Sequence, residues 1–136
     1  MAFDRIRRDR KGKIVVLDTS AIFMLFEFSI NLESELTRLV GKYKIVIPKP
    51  ILDEITLLSE KGKEKKRQFA KPALKLIEGY EIVKTDNVES GDDSVICLAQ
   101  KYDGIVVTND RELRKRLKKA NLKAIFLRGK NQLELD

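Results

Sequence analysis

Two apolar runs in this chain carry no polar residue inside them, and each leads directly to a carboxylate. The first is Ile14-Val15-Val16-Leu17, followed by Asp18-Thr19-Ser20. The second is Ile105-Val106-Val107, followed by Thr108-Asn109-Asp110. A strand with one wet face alternates apolar and polar residues. A run without alternation is a strand buried on both faces, as in a parallel sheet covered by helices. In such sheets ligands bind at the carboxyl ends of the strands. Asp18 and Asp110 therefore stand where a site would form, although each is also a favoured helix N-cap.

The remaining segments fit this scheme. Residues 19–28 are nearly all apolar (Ala21-Ile22-Phe23-Met24-Leu25-Phe26), which reads as a buried helix or one that meets another subunit. Asn31 caps a helix over about 31–40 that Gly41 ends. Tyr43 to Ile47 is a second strand, followed by Pro48-Lys49-Pro50 and a helix striped by Ile51, Ile55 and Leu58. Pro72 restarts or kinks a further, lysine-rich helix. Tyr80 to Lys84 alternates and reads as an edge strand. A helix opens at Ser90-Gly91-Asp92-Asp93, another covers 111–119, and Ala124 to Leu127 is a short last strand. The expectation is one α/β domain over residues 1–136, a three-layer α/β/α sandwich around a parallel sheet of about five strands. Residues 1–13 form a basic N-terminal arm and 128–136 a polar, loosely held C-terminal tail.

Phase along the helices singles out two further acids. Glu54 lies three residues after Ile51 and four before Leu58, on the buried stripe, where a lone charge is expensive. Asp92 lies three, four and seven residues before Val95, Ile96 and Ala99, extending that stripe. Asp93 follows Ile96, Cys97 and Gln100, a less buried track, and is the second candidate.

Composition narrows the chemistry. Histidine is absent, so neither a Ser-His-Asp triad nor a histidine proton shuttle is available. One cysteine, Cys97, permits no internal disulfide, fits a reducing cytoplasm and argues against zinc. No run is long enough to span a membrane, and no signal-peptide core follows the basic N-terminus. The net charge is +7, with 36% of residues charged, which points to an acidic partner such as nucleic acid. The helix at 111–119 carries much of that charge, with Arg111, Arg114, Lys115 and Lys118 as the candidate RNA contacts. Asp18, Glu54, Asp92 and Asp110 come from four segments whose ends converge in an α/β fold. Clustered carboxylates repel, and one or two divalent cations answer that repulsion. Two metals and a water can cleave a phosphodiester without histidine. Thr19, Ser20, Thr108 and Asn109 would then orient the carboxylates.

Leu17-Asp18-Thr19-Ser20-Ala21, Pro48 through Glu54-Ile55, Gly91-Asp92-Asp93 leading to Leu98-Ala99, and Val106-Val107-Thr108-Asn109-Asp110 together resemble the PIN-domain ribonucleases, in order and spacing. The resemblance covers roughly residues 14–127. It implies an endoribonuclease that uses Mg2+ or Mn2+ to cut single-stranded RNA. It also implies Asp18, Glu54, Asp92 and Asp110 as catalytic, metal-binding acids, with Asp93 as an alternative third acid. Ser20 and Thr108 match the family's hydroxyl positions. Two branches fit: VapC-like toxins held by an antitoxin, and archaeal relatives of the small-subunit processome nuclease that trims ribosomal RNA. The doubled Asp92-Asp93 and the basic helix lean towards the second, which implies a ribosome-assembly partner. The apolar segment 21–28 suits a homodimer or antitoxin interface in either. The rival from another class is a non-catalytic RNA-binding or assembly module that keeps the fold.

Overall fold

Residues 12–86, 88 and 90–136 are described by a computed structural model. The elements run β1 (Lys13–Leu17), α1 (Thr19–Glu27), α2 (Leu32–Val40), β2 (Tyr43–Pro48), α3 (Lys49–Lys61), α4 (Glu64–Ile77), β3 (Glu81–Val83), α5 (Gly91–Tyr102), β4 (Ile105–Val107), α6 (Arg111–Lys119), β5 (Ala124–Arg128) and β6 (Gln132–Leu135). The sheet order is β3-β2-β1-β4-β5-β6. The five strands β1 to β5 pair in parallel. Helices flank this sheet in an α/β sandwich, as the continuous apolar runs require. Val15, Val16, Leu17, Val106 and Val107 are fully buried. Burying each such side chain contributes about 1.5–3 kcal/mol relative to leaving it exposed.

The strand order places the site. From β1 the chain steps outward through β2 to β3, then returns to lay β4 on the other side of β1. Successive crossovers therefore leave β1 and β4 in opposite directions, which opens a crevice at their carboxyl ends. The register Leu17↔Val107 sets Asp18 beside Thr108. Strand β3 lies at the sheet edge, as its alternation predicts.

Two expectations change. The sheet has a sixth strand: residues 128–136 are not a loose tail, because β6 pairs antiparallel with β5 from Ile125↔Leu135 to Arg128↔Gln132. Gly129, at φ 71°, begins the turn between them. Helix α4 continues through Pro72 rather than restarting there. The apolar segment 21–28 is spent mainly on the core, since Ala21, Ile22, Met24 and Leu25 are buried and only Phe28 among its large apolar residues is exposed. The basic arm lies outside the described residues as far as residue 11; Lys13 opens β1. No helix among the described residues is long and apolar enough to cross a membrane.

Strand β6 is bound from two sides. Leu133 is 1% exposed. Its N–H donates to Glu35 Oε1 at 2.7 Å, and its carbonyl accepts from Arg38 Nη2 at 2.7 Å. Leu133→Ala should therefore lower the unfolding free energy by roughly 2 kcal/mol or more in urea denaturation. A loosely held tail would give a change within about 0.5 kcal/mol.

Candidate active site

Asp18 is 3% exposed and receives hydrogen bonds on both carboxylate oxygens. Ala21 N–H donates to Oδ1 at 2.7 Å, so Asp18 caps α1 as its residue type predicts. The Ser20 hydroxyl reaches Oδ1 at 2.8 Å and Oδ2 at 2.9 Å, and the Thr108 hydroxyl donates to Oδ2. Thr108 and Ser20 are fixed in turn by backbone donors: Asp110 N–H to Thr108 Oγ1 at 3.0 Å, and Asn109 N–H to Ser20 Oγ at 2.9 Å. Burial raises the Asp18 carboxyl from 3.8 to about 6; the hydrogen bonds from Thr108, Ala21 and Ser20 oppose the rise, and the charge of Asp92 adds to it.

A cleft runs over this point. Asp18, Glu54, Asp92 and Asp110 all line it, with Thr19, Ser20 and Asn109. Burial raises the Asp92 carboxyl, and the charge of Asp110 raises it further. Asp110 caps α6 through Oδ1 alone, accepting from Glu112 N–H at 2.8 Å and Leu113 N–H at 3.3 Å. Glu54 approaches the start of α5 where Gly91 has no side chain; a Cβ there would lie 3.1 Å from Glu54 Oε2. Thr19 Oγ1 is buried without a hydrogen-bond partner among the described residues.

Asp93 is directed elsewhere. It does not line the cleft. Its carboxylate pairs with Arg116 at 2.5 Å, and that bond, with one from Ser90, holds its carboxyl below the usual range. The helical phase that ranks Asp92 ahead of Asp93 agrees with this placement.

The donors facing the cleft are hard oxygens under mutual repulsion, the chemistry that a divalent cation neutralises. Among the described residues no group of three or more His, Cys, Asp or Glu side chains is arranged to hold an ion as they stand.

The four cations expected on α6 divide. Arg111, Lys115 and Lys118 are exposed, and Lys115 pairs with Glu112 at 3.4 Å. Arg114 lies over the Phe126 ring, 3.5 Å from its centroid, and 3.9 Å from Asp136. It clamps α6 onto β5. Six residues that sequence reasoning left out of the site also line the cleft: Phe23, Met24, Ile51 and Leu58, which as apolar helix residues read as core, Glu27 at the end of α1, and Lys66, one cation in a lysine-rich run.

The sequence matches the PIN like domain family over residues 15–130. The chain belongs to that family. This PIN-like chain is 30% identical over 121 residues to ribonuclease VapC9 of Archaeoglobus fulgidus, covering 89% of this chain and 87% of the relative. It is 31% identical over 127 residues to ribonuclease VapC4 of Methanocaldococcus jannaschii, covering 89% and 95%. Among solved structures, the PIN domain endonuclease Utp24 matches with a TM-score of 0.73 at 18% identity, over 90% of each chain. VapBC-1 from nontypeable Haemophilus influenzae matches at 0.61 and 14%, over 82% of this chain and 96% of the other. At those identities the structural likeness speaks to the PIN fold alone.

The raised carboxyl of Asp18 has a consequence for stability. The folded protein binds this proton more tightly than the unfolded chain, so the contribution is intact below pH 3.8 and is lost as pH rises through about 6. The loss amounts to roughly 3 kcal/mol. Asp18→Asn should therefore melt higher than wild type at pH 7 in EDTA, with the difference shrinking towards pH 4. Parallel thermal melts at the two pH values check this, and a lower melting temperature at pH 7 would contradict it.

Proposed function

We propose that this PIN-like chain is an endoribonuclease that cuts single-stranded RNA with one or two Mg2+ or Mn2+ ions. The observation that carries the reading is the meeting of Asp18, Glu54, Asp92 and Asp110 on one cleft at the β1/β4 switch point. The two relatives named as ribonucleases support it. Asp18, Glu54, Asp92 and Asp110 would hold the cation. When bound, the cation lowers the pKa of water and stabilises the leaving oxygen. Ser20 and Thr108 fix the Asp18 carboxylate, and the cap bonds to Oδ1 of Asp110 leave Oδ2 for the cleft. With no histidine in the chain, protons pass to carboxylates or solvent.

Of the two cellular roles, the VapC names of both relatives favour a toxin-like ribonuclease with an antitoxin as partner. Ribosomal RNA processing is the alternative. RNA would reach the cleft along the exposed face of α6, where Arg111 and Lys118 make no ion pair with a described residue and Lys115 adds a third charge.

Cleavage of a labelled single-stranded RNA tests the reading. Wild type should cut in Mn2+ or Mg2+ and stop in EDTA. Asp18→Asn should lose at least about a hundredfold in rate, the scale of removing one electrostatic contact to the transition state. No cutting and no manganese binding by wild type would replace the nuclease by a non-catalytic RNA-binding module. On α6, each lost phosphate contact flattens the salt dependence of binding by about 0.7 in logarithmic slope. Arg111→Glu with Lys118→Glu should flatten it by about 1.4. Arg114→Gln should leave the slope unchanged and lower the melting temperature. The same slope in wild type and the double variant would remove α6 from the RNA surface.

A further inference from the structure

The acid cleft extends beyond its carboxylates, and its far end has a different chemistry. On α1 the lining residues recur at Thr19, Ser20, Phe23 and Glu27, one face of the helix read turn by turn. On α3 they recur at Ile51, Glu54 and Leu58. One turn, about 5.4 Å, carries each wall from the acid end to an apolar pair, Phe23 and Leu58. That distance is on the scale of one nucleotide step. Phe23 is only half-buried although its neighbours Ile22 and Met24 are buried. Lys66, from α4, lines the same cleft. Lys66 is exposed and has no ion-pair partner among the described residues, whereas the neighbouring Lys65 faces Glu27 at 3.7 Å.

An aromatic face beside an unpaired cation, one step from clustered acids, matches a nucleotide whose neighbouring phosphate is the one cut. Resting on the ribonuclease reading above, we propose that Phe23, Leu58 and Lys66 form a subsite for the nucleotide next to the scissile phosphate. The base stacks on Phe23 against Leu58, and Lys66 holds that nucleotide's own phosphate. Stacking on an aromatic ring is tolerant of sequence, because every base has a π-face. It also requires an unpaired base, since a base inside a duplex cannot leave its stack without cost. Phe23 would thus make the enzyme selective for single strands without making it selective for a sequence.

The test uses the full chain and a single-stranded RNA carrying 2-aminopurine, whose fluorescence falls when it stacks. Binding is read in the Asp18→Asn background, and cleavage in the otherwise wild-type protein. Phe23→Leu keeps an apolar side chain and removes the ring; Phe23→Tyr keeps the ring. Phe23→Leu should raise KM about five- to a hundredfold, abolish the quenching and narrow the preference for single strands over duplex. Phe23→Tyr should retain all three properties. Lys66→Gln should raise KM and flatten the salt slope by about 0.7, with Lys66→Arg restoring both. If wild type cuts and Phe23→Leu matches it in KM and quenching, the subsite is overturned and the nuclease stands. If Phe23→Leu leaves RNA untouched but changes sedimentation, the wall is a protein interface and the proposal falls. If wild type neither cuts nor binds RNA, both readings fall together. Lys66→Gln changes an exposed side chain, so it decides the matter even if Phe23→Leu does not fold: unchanged KM and salt slope overturn the proposal.

Discussion

The carboxylate of Asp18 is buried, and a buried charge must be compensated or the fold loses stability. Its donors come from two places: Ser20 and Ala21 on the first turn of α1, and Thr108 at the end of β4. Thr108 and Ser20 in turn accept backbone N–H groups of Asp110 and Asn109. One carboxylate therefore ties the end of β1 to the end of β4, on top of the ladder that pairs Leu17 with Val107. The same bonds that stabilise the charge also aim it. They do not cancel the cost of burial, and the residue of that cost appears as a carboxyl raised to about 6. A cation in the cleft would offset what hydrogen bonds leave over.

The parts of the fold written as two-sided apolar runs were legible, because only a covered parallel sheet accommodates them. Asp92 was separable from Asp93 for a similar reason: helical phase fixes which side chain looks inward, and Arg116 then takes the one that does not. Strand β6 was harder. Its apolar residues are Leu133 and Leu135 alone, and its pairing partner is a hairpin away rather than a crossover away, so the rule that made the rest of the sheet parallel did not apply to it. For Arg114, composition counts a charge without seeing what its guanidinium stacks on. On a helix with six basic residues, only the position of Phe126 on β5 distinguishes the clamp from the exposed set. Phe23 was invisible for the converse reason: in an apolar helix, nothing local separates a ring in the core from a ring in a cleft.

The charges divide along the same line between framework and site. Arg116 is occupied with Asp93, Lys65 with Glu27, Lys115 with Glu112, and Arg114 with Asp136 and Phe126. Exposed pairs of this kind contribute little to stability, typically below about 1 kcal/mol, but each lowers the free positive charge near the acids. Lys66 on α4, which lines the cleft, and Arg111 and Lys118 on α6 are among the cations that pair with no described residue.

In a protein of net charge +7, the four acids share their cleft with one lysine, Lys66, among the described residues. Asp18 and Asp110 follow the carboxyl ends of the inner strands β1 and β4, where each caps a helix. The lysines sit on helices, where long stems keep the ammonium in water. Gly91 leaves room for the Glu54 carboxylate at the start of α5, while Lys49 pairs with Asp53 at 2.6 Å. On the reading proposed above, a polyanion meeting this cleft would find Lys66 beside the carboxylates, and a small dense cation would bridge its phosphate to the acids.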